Sequence, residues 1–416
     1  MNRGGATAGG PYLLTGATGF LGSHVMAGLL KKGERVVVVG RRAGGESLAE
    51  RIRRLLKWFG IEHLQERLEL HETDFRKPRL GLGSDDYELL RRRGLPIIHC
   101  ASDTRFAEKN REAVMAANVG SLAGILDLAR GGPARCFHFI SSAYAAGSDG
   151  AECREVPVHA RNFNNVYEES KALAESAVLA SCRQHGIAHT IIRPAIVYGD
   201  ARTGRSLKFN ALYHPVRSLL QLRDIYLADL GKNRGKKSAA CGVRLLEDGR
   251  LHLPLRICIP NEGKINLVPV DYFTAATLAI LDQAENGAIY HVASRRPAAM
   301  AQLTAFSARF LGLSGIEVIL GSAPAAETRN PPEELFDYFI RPYRPYISDR
   351  RVFLRENTDR ATGAMDPPDF DYDVFRRCME YAVAADWGRK LFSIPGGQGK
   401  EEGKRGKGVK KGKRKK

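Results

Sequence analysis

Tyr167 and Lys171 stand four residues apart, as Tyr-Glu-Glu-Ser-Lys, in a segment whose pattern predicts a helix that continues to about Arg183. Residues at positions i and i+4 share one helix face, so the phenol and the ammonium are expected to lie close together. An ammonium stabilises a neighbouring phenolate. Lowering a tyrosine pKa from about 10 to about 7 takes about 4 kcal/mol, which two close cations in a partly dry site could supply. Tyr167 would then donate or remove a proton at neutral pH.

A serine hydroxyl is expected to face the same reacting centre. The apolar run from Cys136 to Ile140 predicts a strand that ends directly before Ser141 and Ser142. Polar groups at the carboxyl ends of parallel strands meet at one edge of the sheet, where the Ser142 hydroxyl would hold a substrate oxygen. Because a tyrosine and a lysine at this spacing occur by chance in many helices, their meaning depends on the elements that precede them.

Those elements begin with the stretch from Tyr12 to Arg42, which predicts a strand, a glycine turn, an amphipathic helix and a second strand. Gly16, Gly19 and Gly22 have the spacing of a dinucleotide-binding turn. Glycine there permits a tight turn, close approach of a pyrophosphate and close packing of the helix on the strand. The phosphates would rest on the helix N-terminus.

Strands and helices continue to alternate beyond this unit. We predict a helix at 47–59, a helix at about 111–130 that contains Asn118, and strands at 68–70, 96–101 and 289–292. Strands separated by helices form parallel sheets. The predicted fold is therefore α/β, a Rossmann-type doubly wound parallel sheet with a smaller C-terminal substrate lobe and a disordered basic tail.

The predicted domain boundaries follow from these elements. The NAD(P)-binding Rossmann domain is expected at 10–200, completed by about 265–294, and the substrate lobe at 201–264 and 295–392. The aromatic run PYRPY at 342–346 is interpreted as packing inside the lobe. From 395 to 416 the chain is rich in Lys and Gly with almost nothing to bury, which predicts a disordered tail.

The second strand ends in Gly40, Arg41 and Arg42 instead of the acidic residue that grips the ribose hydroxyls of NAD. Guanidinium groups hold a 2′-phosphate through charge-assisted hydrogen bonds, so NADPH is favoured over NAD, although two ordinary surface arginines would give the same pattern. Asp74 is placed where a carboxylate could accept the adenine amino group, with an aromatic side chain beside it. The candidate cofactor-binding residues are Thr15, Gly16, Thr18, Gly19, Phe20, Leu21, Gly22, Arg41, Arg42, Asp74, Phe75, Ala101, Ser102, Lys171 and Pro194.

The charge of the chain is unevenly distributed. The formal net charge is +18, of which Lys400 to Lys416 contribute +8 through ten basic and two acidic residues, leaving +10 for the rest. We expect the tail to bind polyanions only non-specifically. The remaining charge favours acidic partners, such as phosphorylated substrates or an acidic carrier protein.

The seven cysteines are scattered with no Cys-x-x-Cys pair, which indicates reduced thiols and neither a disulfide framework nor a metal site. His99 and Cys100 are interpreted as core residues, since no other metal-binding side chain clusters with them. No apolar run approaches the ~18 residues that a membrane span needs. We therefore expect a soluble, cytoplasmic protein without a membrane span, and we leave a homodimer open.

Four motifs taken together resemble the extended short-chain dehydrogenase/reductases: TGATGFLG at 15–22, ISSAYAAG at 140–147, YEESK at 167–171 and RPAIVYG at 193–199. TDFRKPRLGL from Thr73, HCASDTRF from His99 and NNVYEESK from Asn164 are similar to the thioester-reductase and fatty acyl-CoA reductase branch, also called the male-sterility type. The resemblance implies that Ser142, Tyr167 and Lys171 are catalytic, with Asn118 as a fourth member. It also selects Ser142 over Ser141, because the active-site hydroxyl of the family lies five residues before the glycine that closes the serine motif.

This branch implies reduction of an acyl thioester, or of a related carbonyl, by hydride transfer from NADPH. We expect the acyl group to arrive on CoA or on a separate carrier, because no adenylation or carrier segment precedes Tyr12. Ala143 and Tyr144 stand where sugar-nucleotide dehydratases carry an Asp-Glu pair, which argues against dehydration. Three alternatives stay open: a hydroxysteroid- or flavonol-like alcohol dehydrogenase, a sugar-nucleotide epimerase and a non-catalytic nucleotide-binding protein.

Overall fold

The computed structural model describes residues 10–132, 136–321 and 329–393. Its strands are β1 (Tyr12–Thr15), β2 (Val36–Gly40), β3 (Leu68–Glu72), β4 (Ile97–His99), β5 (Cys136–Ile140), β6 (Glu152–Cys153), β7 (Ala188–Pro194), β8 (Ile196–Tyr198), β9 (Arg244–Leu245), β10 (Leu251–Ile259), β11 (Lys264–Ile265), β12 (Leu267–Pro269), β13 (Ile289–Val292), β14 (Ala298–Ala299), β15 (Leu313–Leu320) and β16 (Val352–Phe353). Its helices are α1 (Phe20–Lys31), α2 (Leu48–Phe59), α3 (Ser84–Arg93), α4 (Arg111–Met115), α5 (Leu122–Ala129), α6 (Val166–His185), α7 (Tyr213–Lys232), α8 (Lys236–Ala240), α9 (Val270–Gln283), α10 (Met300–Leu311), α11 (Pro331–Ile340), α12 (Arg344–Ile347), α13 (Glu356–Thr362) and α14 (Tyr372–Ala384).

The first βαβ unit forms as its pattern predicts. β1 pairs in parallel with β2, from Tyr12 against Val36 to Thr15 against Val39, and the four valines of β2 are buried. After α1 the chain turns through Gly33, whose φ of +90° is open to glycine without strain. The glycine turn at 16–19 connects the end of β1 with the start of α1, and Gly33 connects α1 with β2.

The central sheet has seven parallel strands in the order β13, β7, β5, β4, β1, β2, β3. Successive residues of its strands face opposite sides. Leu14 and Val38 pack in a core that includes α1 and α9, whereas Leu13 and Val37 pack in a core that includes α5 and α6. The sheet is thus covered on both faces, which confirms the predicted doubly wound α/β fold.

A second core lies in the C-terminal lobe. There β10 runs between β15 and β9 in a three-stranded sheet, and every second residue of β10 is buried, from Leu251 to Ile259. Helices α7, α10, α11 and α14 contribute to this core. The parallel pairing of β6 with β16 joins the lobe to the sheet domain. We keep the predicted domain boundaries as a working division, and the predicted tail at 395–416 lies outside the described residues.

The helix predicted at 111–130 is not continuous. A π-helical turn, Ala116–Gly120, separates α4 from α5 and contains Asn118. Such turns widen a helix by one residue and occur where a side chain is needed elsewhere in the structure. The hydrogen bonds of Asn118, described below, give the physical reason for the interruption.

One helical stretch, 108–129, is long and apolar enough to cross a membrane by length and composition, and our sequence analysis did not single it out. In the structure its Val114, Leu122 and Ile125 are buried inside the protein, and the last two pack in the core beneath the sheet. Core helices of globular proteins pass the same test, so this helix is weak evidence for a membrane span.

Candidate active site

One cavity connects the glycine turn with the C-terminal lobe. Its volume is about 810 Å³, and it lies at the carboxyl ends of β1, β4, β5 and β7. The predicted site residues that line it are Gly16, Gly19, Phe20, Leu21, Gly22, Ser102, Ser142, Tyr167, Lys171 and Pro194. The fold therefore brings the glycine turn and the three proposed catalytic side chains to one space, as expected where parallel strands end together.

Two positions of the glycine turn are packed so closely against protein backbone that they admit only glycine. A Cβ on Gly16, whose φ is +74°, would lie 2.6 Å from the backbone nitrogen of Ala101, and a Cβ on Gly22 would lie 2.2 Å from the carbonyl oxygen of Gly16. These distances are too short for any other residue. The turn consequently fits the close backbone approach that a pyrophosphate requires, next to the N-terminus of α1.

The Thr15 side chain holds this turn in place through hydrogen bonds. Its Oγ1 is 2.9 Å from His99 Nδ1, and it accepts hydrogen bonds from the backbone N–H groups of Cys100 and Ala101 at 3.2 and 3.3 Å. Thr15 is fully buried. Its place in the structure is thus between two strand ends rather than on the cavity wall, and Thr18 likewise lies in the turn outside the cavity lining.

Tyr167 and Ser142 are brought together by the start of α6. Asn165 caps this helix by accepting the backbone N–H of Glu168 at 3.1 Å, and Tyr167 follows in the first turn. The Tyr167 hydroxyl forms a hydrogen bond with Ser142, and Ser142 Oγ also accepts the backbone N–H of Tyr144 at 3.3 Å. Both side chains line the cavity, so two neighbouring hydroxyls are available there to hold an oxyanion.

The protonation state of Tyr167 is set mainly by burial of its phenol. Burial raises its pKa to about 12, and the hydrogen bond from Ser142 lowers it by a smaller amount. Our expectation of about 7 requires two close cations, Lys171 and the positively charged nicotinamide of the oxidised cofactor, acting together. In the protein alone, desolvation of the phenol outweighs the hydrogen bond from Ser142, so Tyr167 is protonated at neutral pH and is suited to donate a proton.

Lys171 is turned toward the sheet. Its Nζ donates a hydrogen bond to the carbonyl oxygen of Ile140 at 2.9 Å and lies 4.7 Å from the centroid of the Phe139 ring. Burial lowers its pKa to about 8, while Cys100 and Glu175 act in the opposite direction. The Lys171 ammonium is therefore held at Ile140, the last residue of β5. Lys171 lines the same cavity as Tyr167.

Asn118 holds the walls of the site together. Its Nδ2 donates to the carbonyl oxygen of Asp103 at 2.9 Å and to Ser170 Oγ at 2.8 Å. Its Oδ1 accepts from Ser102 Oγ at 3.1 Å and from the backbone N–H of Asp103 at 2.7 Å. Asn118 is buried and does not belong to the described cavity lining. It ties the loop after β4 to α6, which places it as a positioning residue rather than one that contacts a ligand.

The residues predicted to hold the far end of the cofactor lie along the carboxyl end of β2 and beyond β3. Arg42 Nε donates to Glu72 Oε1 at 3.2 Å, and the Arg41 carbonyl oxygen accepts from a third arginine, Arg51, at 2.9 Å. Asp74 is held by Arg76 through two hydrogen bonds of 2.9 Å, and Phe75 packs against the core under the sheet. The structure thus gathers arginines at this end of β2, and it places Asp74 in a local ion pair.

Several cavity residues come from parts of the chain that our sequence analysis did not assign to the site. Phe106 is central among them, with its ring centroid 5.9 Å from that of Tyr167, 5.7 Å from Tyr343 and 5.7 Å from Tyr346. Both Tyr343 and Tyr346 belong to the PYRPY run, so our interpretation of this run as packing inside the lobe was incomplete. The motif HCASDTRF ends in Phe106, so it could have identified this one residue as part of the site.

Within the described residues, no three His, Cys, Asp or Glu side chains are grouped as a metal site would require. The seven cysteines are free thiols. The polar groups that line this cavity include hydroxyls, the ammonium groups of Lys171 and Lys208, and the side-chain amides of Asn110 and Asn210.

Comparison with known proteins agrees with these observations. Residues 14–277 match the family model described as male sterility protein, an NAD-binding family. A linear gramicidin synthase of Brevibacillus parabrevis is 29% identical over 221 residues, which are 50% of this chain and 4% of that protein. The L-2-aminoadipate reductase large subunit of Eremothecium gossypii is 28% identical over 296 residues, which are 64% of this chain and 19% of that protein. The chain therefore spans only a small part of these curated relatives.

Solved structures share the fold. The terminal R domain from the myxalamid PKS-NRPS biosynthetic pathway has a TM-score of 0.68 at 22% identity, covering 90% of both chains. A thiolation-reductase di-domain from an archaeal non-ribosomal peptide synthetase has a TM-score of 0.66 at 17% identity, covering 91% of this chain and 76% of that one. UDP-glucuronic acid 4-epimerase from Bacillus cereus has a TM-score of 0.59 at 15% identity, covering 89% and 96%.

The matched family covers most of the sheet domain, including the glycine turn, Ser142, Tyr167 and Lys171. The chain belongs to the male sterility protein family, a family of NAD-binding domains.

Proposed function

We propose that this protein uses NADPH to reduce an acyl thioester, carried on CoA or on a carrier protein, to an aldehyde and a free thiol. The observation that carries the proposal is the cavity of about 810 Å³, in which the paired hydroxyls of Ser142 and Tyr167 lie between the glycine turn and the lobe. A thiolation-reductase di-domain among the structural relatives supports carrier delivery. The predicted homodimer and the binding of polyanions by the tail stay predictions.

NADPH, when bound, supplies the hydride for this reaction. The thioester carbonyl oxygen accepts hydrogen bonds from the Ser142 and Tyr167 hydroxyls, which stabilise the negative charge that develops as the hydride adds to the carbonyl carbon. Tyr167 then donates its proton to that oxygen and gives a hemithioacetal. The Tyr167 phenolate takes back the proton of the hemithioacetal hydroxyl as the carbon–sulfur bond breaks, which releases the aldehyde and a thiolate that takes up a proton from solvent.

The acyl group would occupy the far half of the cavity, which is lined mainly by apolar side chains from the C-terminal lobe. They come from four different helices: Val216, Leu219, Leu303, Phe336, Ile340 and Phe375. Removing an acyl chain from water is favourable by about 0.8 kcal/mol for each methylene. A long or branched apolar acyl group therefore gains more in this half of the cavity than a short one.

We expect kcat/KM for saturated acyl-CoA substrates to rise by about fourfold for each added methylene until the cavity is filled, since 0.8 kcal/mol corresponds to about that ratio. Steady-state oxidation of NADPH, followed from acetyl-CoA to dodecanoyl-CoA, measures it. Leu303→Trp should fill part of the cavity and lower the optimum chain length while leaving acetyl-CoA unaffected. Rates independent of chain length in the wild-type enzyme would contradict binding of the acyl group in the lobe.

We expect NADPH to bind at least tenfold more tightly than NADH, because charge-assisted contacts to a 2′-phosphate contribute ~1.5 to 3 kcal/mol each. Fluorescence titration of both cofactors measures the ratio. The double substitution Arg41→Ala and Arg42→Ala should remove the preference for NADPH. Arg42 should contribute less to this preference than Arg41, because it already forms an ion pair with Glu72. Arg35→Ala is the matched control, since Arg35 stands at the opposite end of the same strand. Equal affinities in the wild-type protein would contradict the proposed cofactor.

The proposed function is tested by incubating the purified protein with NADPH and a panel of acyl-CoAs, acyl-carrier thioesters, ketones and UDP-sugars. Consumption of NADPH with release of free thiol and aldehyde, on thioesters alone, is the expected result. Turnover of ketones without turnover of any thioester would assign the protein to the alcohol dehydrogenases instead. Conversion of a UDP-sugar without net oxidation of NADPH would assign it to the epimerases.

A further inference from the structure

Lys208 reaches from the segment between β8 and α7 to the loop that follows β4. Its Nζ donates a hydrogen bond to Thr104 Oγ1 at 2.7 Å, and both residues line the cavity of the candidate active site. Lys208 is half-buried. Its ammonium therefore forms part of the cavity wall instead of extending into solvent.

This ammonium has no carboxylate partner at ion-pair distance in the parts of the chain that the structure describes. The carboxylate that acts on it electrostatically is Asp103. Asp103 is already held by Arg105, whose Nε lies 2.9 Å from Oδ2 and whose backbone N–H donates to Oδ1 at 3.0 Å. These three residues leave a formal charge of +1 at the wall. Burial lowers the pKa of Lys208, and the negative charge of Asp103 opposes this shift only in part.

The wall around Lys208 adjoins the reacting centre. Phe106 follows Arg105 directly, and its ring centroid is 5.9 Å from that of Tyr167. Asn110 and Asn210 line the cavity as well and add neutral hydrogen-bonding groups. A half-buried cation on the wall of a cavity that is otherwise largely apolar binds anions in preference to neutral groups, since it gains most from a counter-charge.

We propose that Lys208 and Thr104 form a subsite for an anionic oxygen group of the thioester substrate. The inference rests on the proposed thioester reduction. The Lys208 ammonium supplies the positive charge, and Thr104, which accepts from Lys208, donates its own O–H to the anion. The anion is either a carboxylate at the end of the acyl group or a phosphate of the CoA or phosphopantetheine arm.

Four substrates separate these two sources. Adipoyl-CoA and hexanoyl-CoA have acyl chains of equal carbon number, and only the first carries an acyl carboxylate. The N-acetylcysteamine thioesters of the same two acids lack every phosphate. The enzymes compared are the wild type, Lys208→Met and the charge-conserving Lys208→Arg, each assayed for kcat/KM with saturating NADPH.

An acyl carboxylate as the ligand predicts that Lys208→Met lowers kcat/KM by at least about tenfold for both adipoyl thioesters and leaves both hexanoyl thioesters within about twofold. A phosphate as the ligand predicts the same loss for both CoA thioesters and none for the N-acetylcysteamine thioesters. Lys208→Arg should recover most of the loss in either case. An equal effect on all four substrates, no effect on any, or a weakened affinity for NADPH as the main effect would overturn the subsite, because Lys208 would then be a structural tie or a cofactor ligand.

A binding measurement keeps this test separate from the proposed function. S-(5-carboxypentyl)-CoA and S-hexyl-CoA are thioethers that cannot be reduced, and calorimetry gives their Kd with each protein. If the wild type reduces no thioester but binds the carboxylated analogue more tightly in a manner that depends on Lys208, the proposed function fails and the subsite stands. If the wild type reduces thioesters and the two analogues bind equally to the wild type and to Lys208→Met, the acyl carboxylate fails as the ligand. If, in addition, Lys208→Met does not lower kcat/KM for the CoA thioesters, the subsite is wrong while the proposed function stands.

Discussion

Tyr167→Phe is expected to lower kcat for thioester reduction by ~10² to 10⁴, the range typical for loss of a general acid. The affinity for NADPH should be unchanged, because the substitution removes one hydroxyl and leaves the ring in place. Single-turnover kinetics with saturating NADPH, together with a cofactor titration, measure both quantities.

The physical reason lies in the protonation state of the phenol. Burial raises the pKa of Tyr167 to about 12, so the hydroxyl carries its proton throughout the neutral range. This state is the one that the reductive direction needs, since the oxygen of the reduced carbonyl must gain a proton. In the variant, Ser142 would be left as the hydroxyl donor to the developing charge.

Tyr343→Phe is the matched control for this experiment. Tyr343 lines the same cavity, and its ring lies 5.7 Å from Phe106, but it belongs to the lobe and not to the Ser142 hydrogen bond. We expect its kcat to stay within a few-fold of the wild type. Near-native turnover of Tyr167→Phe would mean that the protein is not a reductase of the short-chain type, and a binding or sensing role would take its place.

The part of the fold that follows from local pattern was predictable. The valine run of β2 and the glycine spacing before α1 each act within a few residues of chain, and the structure forms a strand and a helix there. The helix predicted at 47–59 forms at Leu48–Phe59. The meeting of Ser142 with Tyr167 was predictable for a different reason. Ser142 follows the carboxyl end of β5, and such ends share one edge of a parallel sheet. Tyr167 lies in the first turn of α6, and its role was implied by the family resemblance.

The partners of Lys171 and Asn118 were not predictable in the same way. Helical spacing places Lys171 beside Tyr167, but it does not reveal that the carbonyl oxygen of Ile140 lies within 2.9 Å of the ammonium. Asn118 forms hydrogen bonds with Asp103 and Ser170, which lie 15 and 52 residues away in sequence. Such contacts depend on how whole elements pack, and no local signal in the chain encodes them.

The apolar half of the cavity was missed for a related reason. Leu219, Leu303 and Phe336 come from three helices that are far apart in sequence, and each has the pattern of an ordinary buried face. A residue that lines a cavity and a residue that fills a core have the same composition and periodicity. Only the assembled lobe distinguishes them.

Lys171→Met is expected to lower kcat/KM by at least about 10², because we expect Lys171 to orient the nicotinamide ribose of the bound cofactor, and its loss would misplace the reacting atoms. NADPH should also bind more weakly, in contrast to Tyr167→Phe. Methionine is unbranched and only slightly shorter than lysine, so the substitution leaves no large cavity behind.

The thermal stability of Lys171→Met should rise or stay the same, although its activity and its affinity for NADPH fall. Lys171 is buried, with its ammonium near the Ile140 carbonyl oxygen and the Phe139 ring, and burial lowers its pKa to about 8 from the ordinary 10.5. At pH 7 the folded protein therefore carries the full cost of a buried charge, and Met removes that cost while losing one hydrogen bond of about 1 kcal/mol. We expect the Tm of the variant at pH 7 to equal or exceed that of the wild type.

The dependence on pH gives an independent test of the same assignment. Between pH 8 and pH 10.5 the unfolded chain binds a proton at Lys171 that the folded protein has released, so this group makes the free energy of unfolding rise with pH across that window. Lys171→Met should lack this rise, which urea denaturation at pH 7 and at pH 9.5 would measure against the wild type. A variant that is less stable at pH 7, shows the same rise and keeps its affinity for NADPH would mean that Lys171 supports the fold and does not act on the cofactor.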